Sequence, residues 1–381
     1  MMKNKRHSLE LSDIFRSQEK SILESKELCS VQKKAIKDII LCRTAKLGGH
    51  QKRCDSCSYT KQAYNSCRNR NCNKCQFVRK AQWVDKLTSN LPPVKQFHLV
   101  FTIPTCLHQL FLQNQANAYN LLFKAAGESL MQVAQNTKYL GAQTGAVAVL
   151  HTWGQTLTYH PHIHMIIPAG GLNEDATEWI PSNKKFIVPV KVLSLIFRAL
   201  LCKYLEKAII IGKIKLAQDA SDFKELKDKC YKSNWIVYAE KPFSCPKNLI
   251  NYLANYTHRV AISNERLIHQ DENNVTFSYK DYKKAGIKRS ITLEKMEFIR
   301  RFLKHILPSG FCKIRYFGFM AICNMQTRLN ECFKLIKKVT YLPRLVGLNA
   351  FEIIEILTNK DPFCCPKCKT GKLIPILAKP S

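Results

Sequence analysis

The stretch His160-Pro161-His162-Ile163-His164-Met165-Ile166-Ile167-Pro168 decides how the middle of this chain is read. Its apolar run is short and is closed by Ala169-Gly170-Gly171, which fits a strand. Strand side chains alternate with period two, so His162 and His164 face the same way. Upstream, Gly145 to Thr156 reads as a second strand, and a short turn between the two predicts an antiparallel hairpin. His151 and Gln155 lie on that partner strand, on one face by alternation. Either can supply a third ligand to a divalent metal held by His162 and His164. Imidazole binds such metals better than a neutral amide, which favours His151. His160, at the turn, reads as an orienting or contact residue.

Working outward, residues 10 to 42 and 77 to 91 carry helical patterns, and Phe97 to Ile103 alternates as a strand before Pro104. Helices follow over 107–137 and Val190 to Lys207. Trp235 to Tyr238 and Val275 to Tyr279 read as strands. Leu293 to Leu307 has an amphipathic stripe through Ile299, Phe302, Leu303 and Ile306, stopping at Pro308-Ser309-Gly310. The fold class is α+β: a small N-terminal zinc-ribbon domain with helices, then an antiparallel sheet flanked by helices. The expected segments are 1–92, 93–325 and a C-terminal tail over 326–381.

Sixty Lys and Arg against 28 Asp and Glu give a net charge of +32 on 381 residues. Self-repulsion on that scale calls for a polyanionic partner, and nucleic acid fits better than an anionic membrane surface. No secretory leader is visible after Met1. The longest apolar run, Phe186 to Leu205, is broken by Lys191, Arg198 and Lys203, so a membrane span is not expected. The expectation is a cytoplasmic protein associated with the nucleoid when bound to DNA. The 17 cysteines would then be reduced, and clustered ones point to metal.

Cys54-Asp55-Ser56-Cys57 and Cys72-Asn73-Lys74-Cys75 are two CxxC knuckles in a segment poor in aliphatics. Four thiolates suit a structural Zn²⁺, so Cys54, Cys57, Cys72 and Cys75 are expected to share one ion. Cys42, His50 and Cys67 lie nearby as further ligands or as packing residues. Cys365-Pro366-Lys367-Cys368 is half a site on its own. Arg68 and Arg70 sit between the N-terminal knuckles, where a stiffened loop can offer guanidinium groups to phosphate or a guanine edge.

A second motif is Tyr252-Leu253-Ala254-Asn255-Tyr256, within a helical pattern from Pro246 to Arg259. Tyrosines four apart share a helix face. Leu249, Tyr252, Leu253 and Tyr256 also make an ordinary core stripe, and the helix alone does not separate the two readings. Beside a metal the chemistry is specific. A phenol with pKa near 10 needs help to attack phosphate, and Mg²⁺ or Mn²⁺ supplies it. Two tyrosines permit two successive strand transfers through covalent phosphotyrosine. His258 and Arg259 follow as candidate phosphate contacts.

These motifs, together with Leu47-Gly48-Gly49-His50, Tyr64 to Gln76, Leu150 to Gln155, Tyr252 to Arg266, Glu297 to Leu303 and Ile314 to Phe319, run in order along the chain. In that arrangement the sequence resembles the HUH transposases of rolling-circle insertion sequences, the insertion-sequence-ninety-one family. The resemblance implies a zinc-binding N-terminal domain and a catalytic HUH domain. It also implies nicking of single or melted DNA strands at element ends, with a 5′-phosphotyrosine and a free 3′-hydroxyl. His162 and His164 match the family's histidine pair, and Tyr252 and Tyr256 its nucleophiles. Asn71 stands where relatives commonly carry His, Asn73 where they carry Pro, and Lys369 where a Gly is usual. Competing expectations are a plasmid-type replication initiator or relaxase, and a non-catalytic zinc-ribbon DNA-binding regulator.

Overall fold

The computed structural model describes residues 9–25, 27–182, 187–216, 223–243, 261–284 and 286–376. The chain forms two compact units. One holds the described residues of Met1–Trp83, His258–Ile306 and Arg344–Ser381; the other holds those of Val84–Thr257 and Leu307–Pro343. The consecutive segments 1–92, 93–325 and 326–381 do not coincide with these units, because the chain returns twice to the first. Periodicity along a sequence reports local structure and not which distant segments pair.

The first unit shows the consequence. Strand β1 (Gly49–Cys54) pairs on one side with β2 (Thr60–Tyr64) and on the other with β13 (Leu373–Pro375), near the far end of the chain. The helical pattern over 10–42 is three helices, Leu11–Ser17, Glu19–Glu24 and Ser30–Leu41. Polar side chains at the breaks bond locally instead of continuing the ladder: Ser17 Oγ donates to the Ile14 carbonyl, and Ser25 Oγ accepts from the Glu27 amide. A separate sheet joins β9 (Leu267–Gln270), β10 (Asn274–Asp281) and β11 (Ile287–Glu294). The helix Lys295–Leu303 buries Phe298, Ile299, Phe302 and Leu303, and Phe298 meets Phe277 of β10 edge-on at 5.6 Å. The amphipathic stripe therefore forms as expected, on a shorter helix.

The second unit is built on a five-stranded antiparallel sheet. Its strands are β3 (Gln96–Thr102), β4 (Gly145–Trp153), β5 (Tyr159–Pro168), β8 (Val237–Phe243) and β12 (Ile314–Gly318), in the order β12-β4-β5-β3-β8. A small ribbon of β6 (Gly170–Leu172) and β7 (Trp179–Pro181) follows β5. Alternation divides the sheet cleanly. Phe97, Leu99 and Phe101, Ala146, Ala148 and Leu150, and Ile163, Met165 and Ile167 form one buried cluster with residues of the helices Gln115–Gln135 and Val190–Ile210. Phe101 and Phe197 pack edge-on at 5.1 Å. Each such ring contributes about 1.5–3 kcal/mol by leaving water. The long helix comes close to the sheet because position 127 is glycine: a Cβ there would stand 2.4 Å from the Phe317 ring. The residues between these positions point to the opposite face, and there the histidines converge. The α+β class, the antiparallel sheet with flanking helices and the cysteine-rich first unit are as the sequence predicts. No helix among the described residues is long and apolar enough to cross a membrane.

Candidate metal centres

The β4–β5 register places His151 directly opposite His162, and His164 opposite Val149. Directly opposed residues of an antiparallel pair share a face, so the three imidazoles meet on the side of the sheet away from the helices. They have ring nitrogens that all lie within 4.8 Å of one another. The ring centroids of His151 and His164 are 4.3 Å apart, and those of His162 and His164 are 4.9 Å apart.

Two of these rings are oriented from behind. His162 Nδ1 lies 2.6 Å from the His160 carbonyl. A carbonyl only accepts, so Nδ1 carries the proton and Nε2 keeps its lone pair. His164 Nδ1 lies 2.8 Å from His98 Nε2 on β3, and the two rings stack nearly parallel at 5.0 Å. His151 stacks on Trp153 at 5.0 Å. His98, His151 and His164 are only 1%, 2% and 8% exposed. Burial pushes His162 down to about 4, and it drives His151 and His164 well below the usual imidazole range, with neighbouring imidazoles adding to the effect. All three rings are therefore neutral at pH 7 with lone pairs to donate, which is what a divalent metal requires.

Gln155, the other candidate for the third ligand, follows β4 in the chain. β4 ends at Trp153, and its pairing with β5 shifts register between His151 and Trp153. Gln155 lies in the turn that follows. His98 went unassigned in the sequence. The signal is a polar residue inside the apolar run Phe97 to Ile103, but reading it needs the β3–β5 register, which sets Thr102 opposite His162 and His98 opposite Ile166. Tyr252, Tyr256, His258 and Arg259 lie outside the described residues.

The cysteines assemble differently from the single site expected. Cys72 and Cys75 join Cys42 and Cys67, while Cys54 and Cys57 join Cys365 and Cys368. The knuckles part because β1 ends at Cys54 and carries Cys57 toward the β13 side, whereas Cys42 closes the helix Ser30–Leu41 beside Cys75. In the first group Cys42 Sγ and Cys67 Sγ lie 3.5 and 3.7 Å from Cys75 Sγ. A tetrahedral Zn²⁺ with bonds near 2.3 Å sets sulfur–sulfur edges of about 3.8 Å, so this cage fits zinc. The crowded thiols split their titrations: bonds from Cys42, Cys67 and Cys72 drive Cys75 far down, while Cys72 is pushed up. His50 is exposed on β1 and belongs to neither group.

Arg68 is exposed at φ +55° between two ligands of that first group. Its loop is held by Asn69, whose Nδ2 donates to Asp38 Oδ2 at 2.8 Å and whose Oδ1 accepts from the Asn71 amide at 2.8 Å. Arg70 is half-buried on the same loop.

Comparison with known families bears on both centres. A transposase zinc-binding domain matches residues 14–103, and a putative transposase family matches residues 145–328. The chain is 39% identical over 376 residues to the putative transposase y4qJ of Sinorhizobium fredii (strain NBRC 101917 / NGR234), covering 96% of this chain and 94% of that one. The chain belongs to the insertion-sequence-ninety-one family of transposases. It is also 28% identical over 352 residues to the transposase for insertion sequence element IS801 of Pseudomonas savastanoi pv. phaseolicola, covering 91% of this chain and 84% of that protein. No solved structure matches it. A transposase is a DNA-cleaving enzyme, and the charge of +32 suits a DNA partner. The transposase carries structural zinc, and the first cysteine group falls wholly within the zinc-binding match.

Proposed function

We propose that this transposase nicks and joins single or melted DNA strands at element ends through a covalent 5′-phosphotyrosine, at a divalent centre held by His151, His162 and His164. The observation that carries the reading is the convergence of three imidazoles, His151 and His164 buried and His162 half-buried, on one face of the sheet. Tyr252 and Tyr256 are the proposed nucleophiles, assigned from the motif resemblance. The phenolic oxygen attacks the scissile phosphorus, the new O–P bond forms as the bond to the 3′-oxygen breaks, and the 3′-hydroxyl leaves with a proton. A second tyrosine allows the reverse reaction on another strand without releasing the first. Bound there, Mg²⁺ or Mn²⁺ would polarise the phosphoryl oxygen and stabilise its developing charge. Three nitrogen donors suit Mn²⁺ better than Mg²⁺, which prefers an all-oxygen shell. Arg68 and Arg70 are proposed to contact DNA from the zinc unit, and His258 and Arg259 to contact phosphate near the tyrosines.

The test uses single-stranded oligonucleotides spanning an element end, incubated with the full chain and Mn²⁺ or Mg²⁺. A covalent protein–DNA adduct is expected, lost in the Tyr252→Phe/Tyr256→Phe double variant. It is also lost in His162→Ala, which keeps DNA binding. An adduct that survives the double tyrosine change refutes the nucleophile assignment. An adduct formed at full yield in excess chelator refutes the metal assignment.

A further inference from the structure

We infer that Cys54, Cys57, Cys365 and Cys368 hold a second structural zinc ion that clasps the C-terminal segment onto the N-terminal zinc unit. Cys54 and Cys57 fall within the zinc-binding match, but Cys365 and Cys368 lie far beyond its end at residue 103, and the site does not depend on the strand-transfer reading above. Four thiol sulfurs lie within 4.8 Å of one another. Cys54 Sγ is 3.7 Å from Cys368 Sγ, and Cys57 Sγ is 3.7 Å from Cys365 Sγ. Those are the edges a tetrathiolate zinc of about 2.3 Å bonds requires.

The two half-sites are built alike. The residue after the second cysteine is left-handed in both, Ser58 at φ +57° and Lys369 at φ +63°. Each knuckle also aims a backbone amide at a sulfur: Ser56 N lies 3.4 Å from Cys54 Sγ, and Gly371 N lies 3.3 Å from Cys368 Sγ. Such amides stabilise thiolate over thiol.

Backbone bonds already hold the halves in place. The Asp55 amide donates to the Lys372 carbonyl at 3.1 Å, and the Lys372 amide donates to Asp55 Oδ1 at 2.9 Å. β1 and β13 pair with Cys54 opposite Leu373. Gly371 sits so close that a Cβ would stand 2.5 Å from Cys54 Sγ. The cluster is small, with Leu373 as its aliphatic member and Tyr59 packed against it. Apolar burial on that scale is too little to fix a chain end, so a metal is the natural staple.

The chain as purified should contain two equivalents of zinc by elemental analysis, and one after Cys365→Ser/Cys368→Ser. Alkylation of the native wild-type protein, mapped by mass spectrometry, tests the site without any variant. Cys364, exposed next to buried Cys365, should label at once. Cys54, Cys57, Cys365 and Cys368 should stay protected and become reactive together on chelation. A single zinc in the wild type, two zincs retained in the double variant, or labelling of Cys365 and Cys368 at the rate of Cys364 before chelation would each overturn the clasp.

Discussion

His98 Nε2 stands 2.8 Å from His164 Nδ1, ring stacked on ring, with both side chains buried. The contact engages Nδ1 of His164 and holds its ring beside those of His151 and His162. Outer partners of this kind set ligand orientation and basicity, and their loss typically costs 10–100-fold in metal affinity. At the proposed metal centre this contact would make His98 a positioning residue. His98→Ala should weaken Mn²⁺ binding about 10–100-fold, read by metal titration of the full chain, while DNA affinity without metal is unchanged. His98→Gln keeps a polar group at the site and should recover part of the loss. Equal metal affinity in wild type and His98→Ala would remove the residue from the site.

His108 packs edge-on against Tyr159 and lies beside His160, with ring centroids 5.9 and 5.8 Å away. Burial, and then the neighbouring His160, push its imidazole down to about 4 from an ordinary value near 6.5. In the unfolded chain the ring takes up its proton near 6.5; in the folded chain it resists until about 4. Between these values the unfolded state binds more protons, so stability rises with pH. The contribution is complete above about pH 6.5 and declines as pH falls toward 4. Denaturant midpoints measured across that window should fall less steeply for His108→Gln than for wild type. Identical slopes would mean that His108 titrates alike in both states.

Lys369 adopts φ +63° immediately after Cys368. A side chain at left-handed φ meets the following carbonyl, a clash that glycine escapes. Lys369→Gly should relieve that strain. Glycine's greater freedom in the unfolded chain offsets part of the gain, leaving a net stabilisation of about 0.5–1 kcal/mol. The midpoint for chelator-induced loss of the C-terminal knuckle reports it, and an unchanged or lower midpoint would contradict the strain argument.

What the sequence made legible was local. Period-two alternation located β3, β4 and β5 and put His162 and His164 on one face, and the apolar stripe through Ile299 and Phe302 marked a buried helix face. The CxxC spacing pointed to zinc. What it hid was set by pairings between distant segments. Cys57 meets Cys365 because β13 returns to β1, and His98 meets His164 because β3 lies beside β5. Neither follows from spacing. The interleaving of the two units has the same origin: the segments around Val275 and Cys365 carry no local mark of belonging with residue 54. The strand expected to run to Thr156 stops at Trp153, which puts Gln155 in the turn.

Arg68 offers the last test, on the proposed DNA contact. It projects from a loop whose geometry is fixed by the Cys67 and Cys72 cage and by the Asn69 bonds to Asp38 and Asn71. A guanidinium on a rigid base loses little entropy on meeting phosphate, so its contact should persist across sequences. Arg68→Ala should weaken binding, and by similar factors on specific and unrelated oligonucleotides where the contact is a phosphate. If the contact is a phosphate, the slope of log affinity against log salt should fall by about 1. If it is a guanine edge instead, the loss should be about 1–3 kcal/mol on the specific sequence alone, with the salt slope nearly unchanged. Zinc content should stay at the wild-type value in either case, because Arg68 contributes no ligand; a variant that binds all DNA with unaltered affinity and salt slope would remove this loop from the interface.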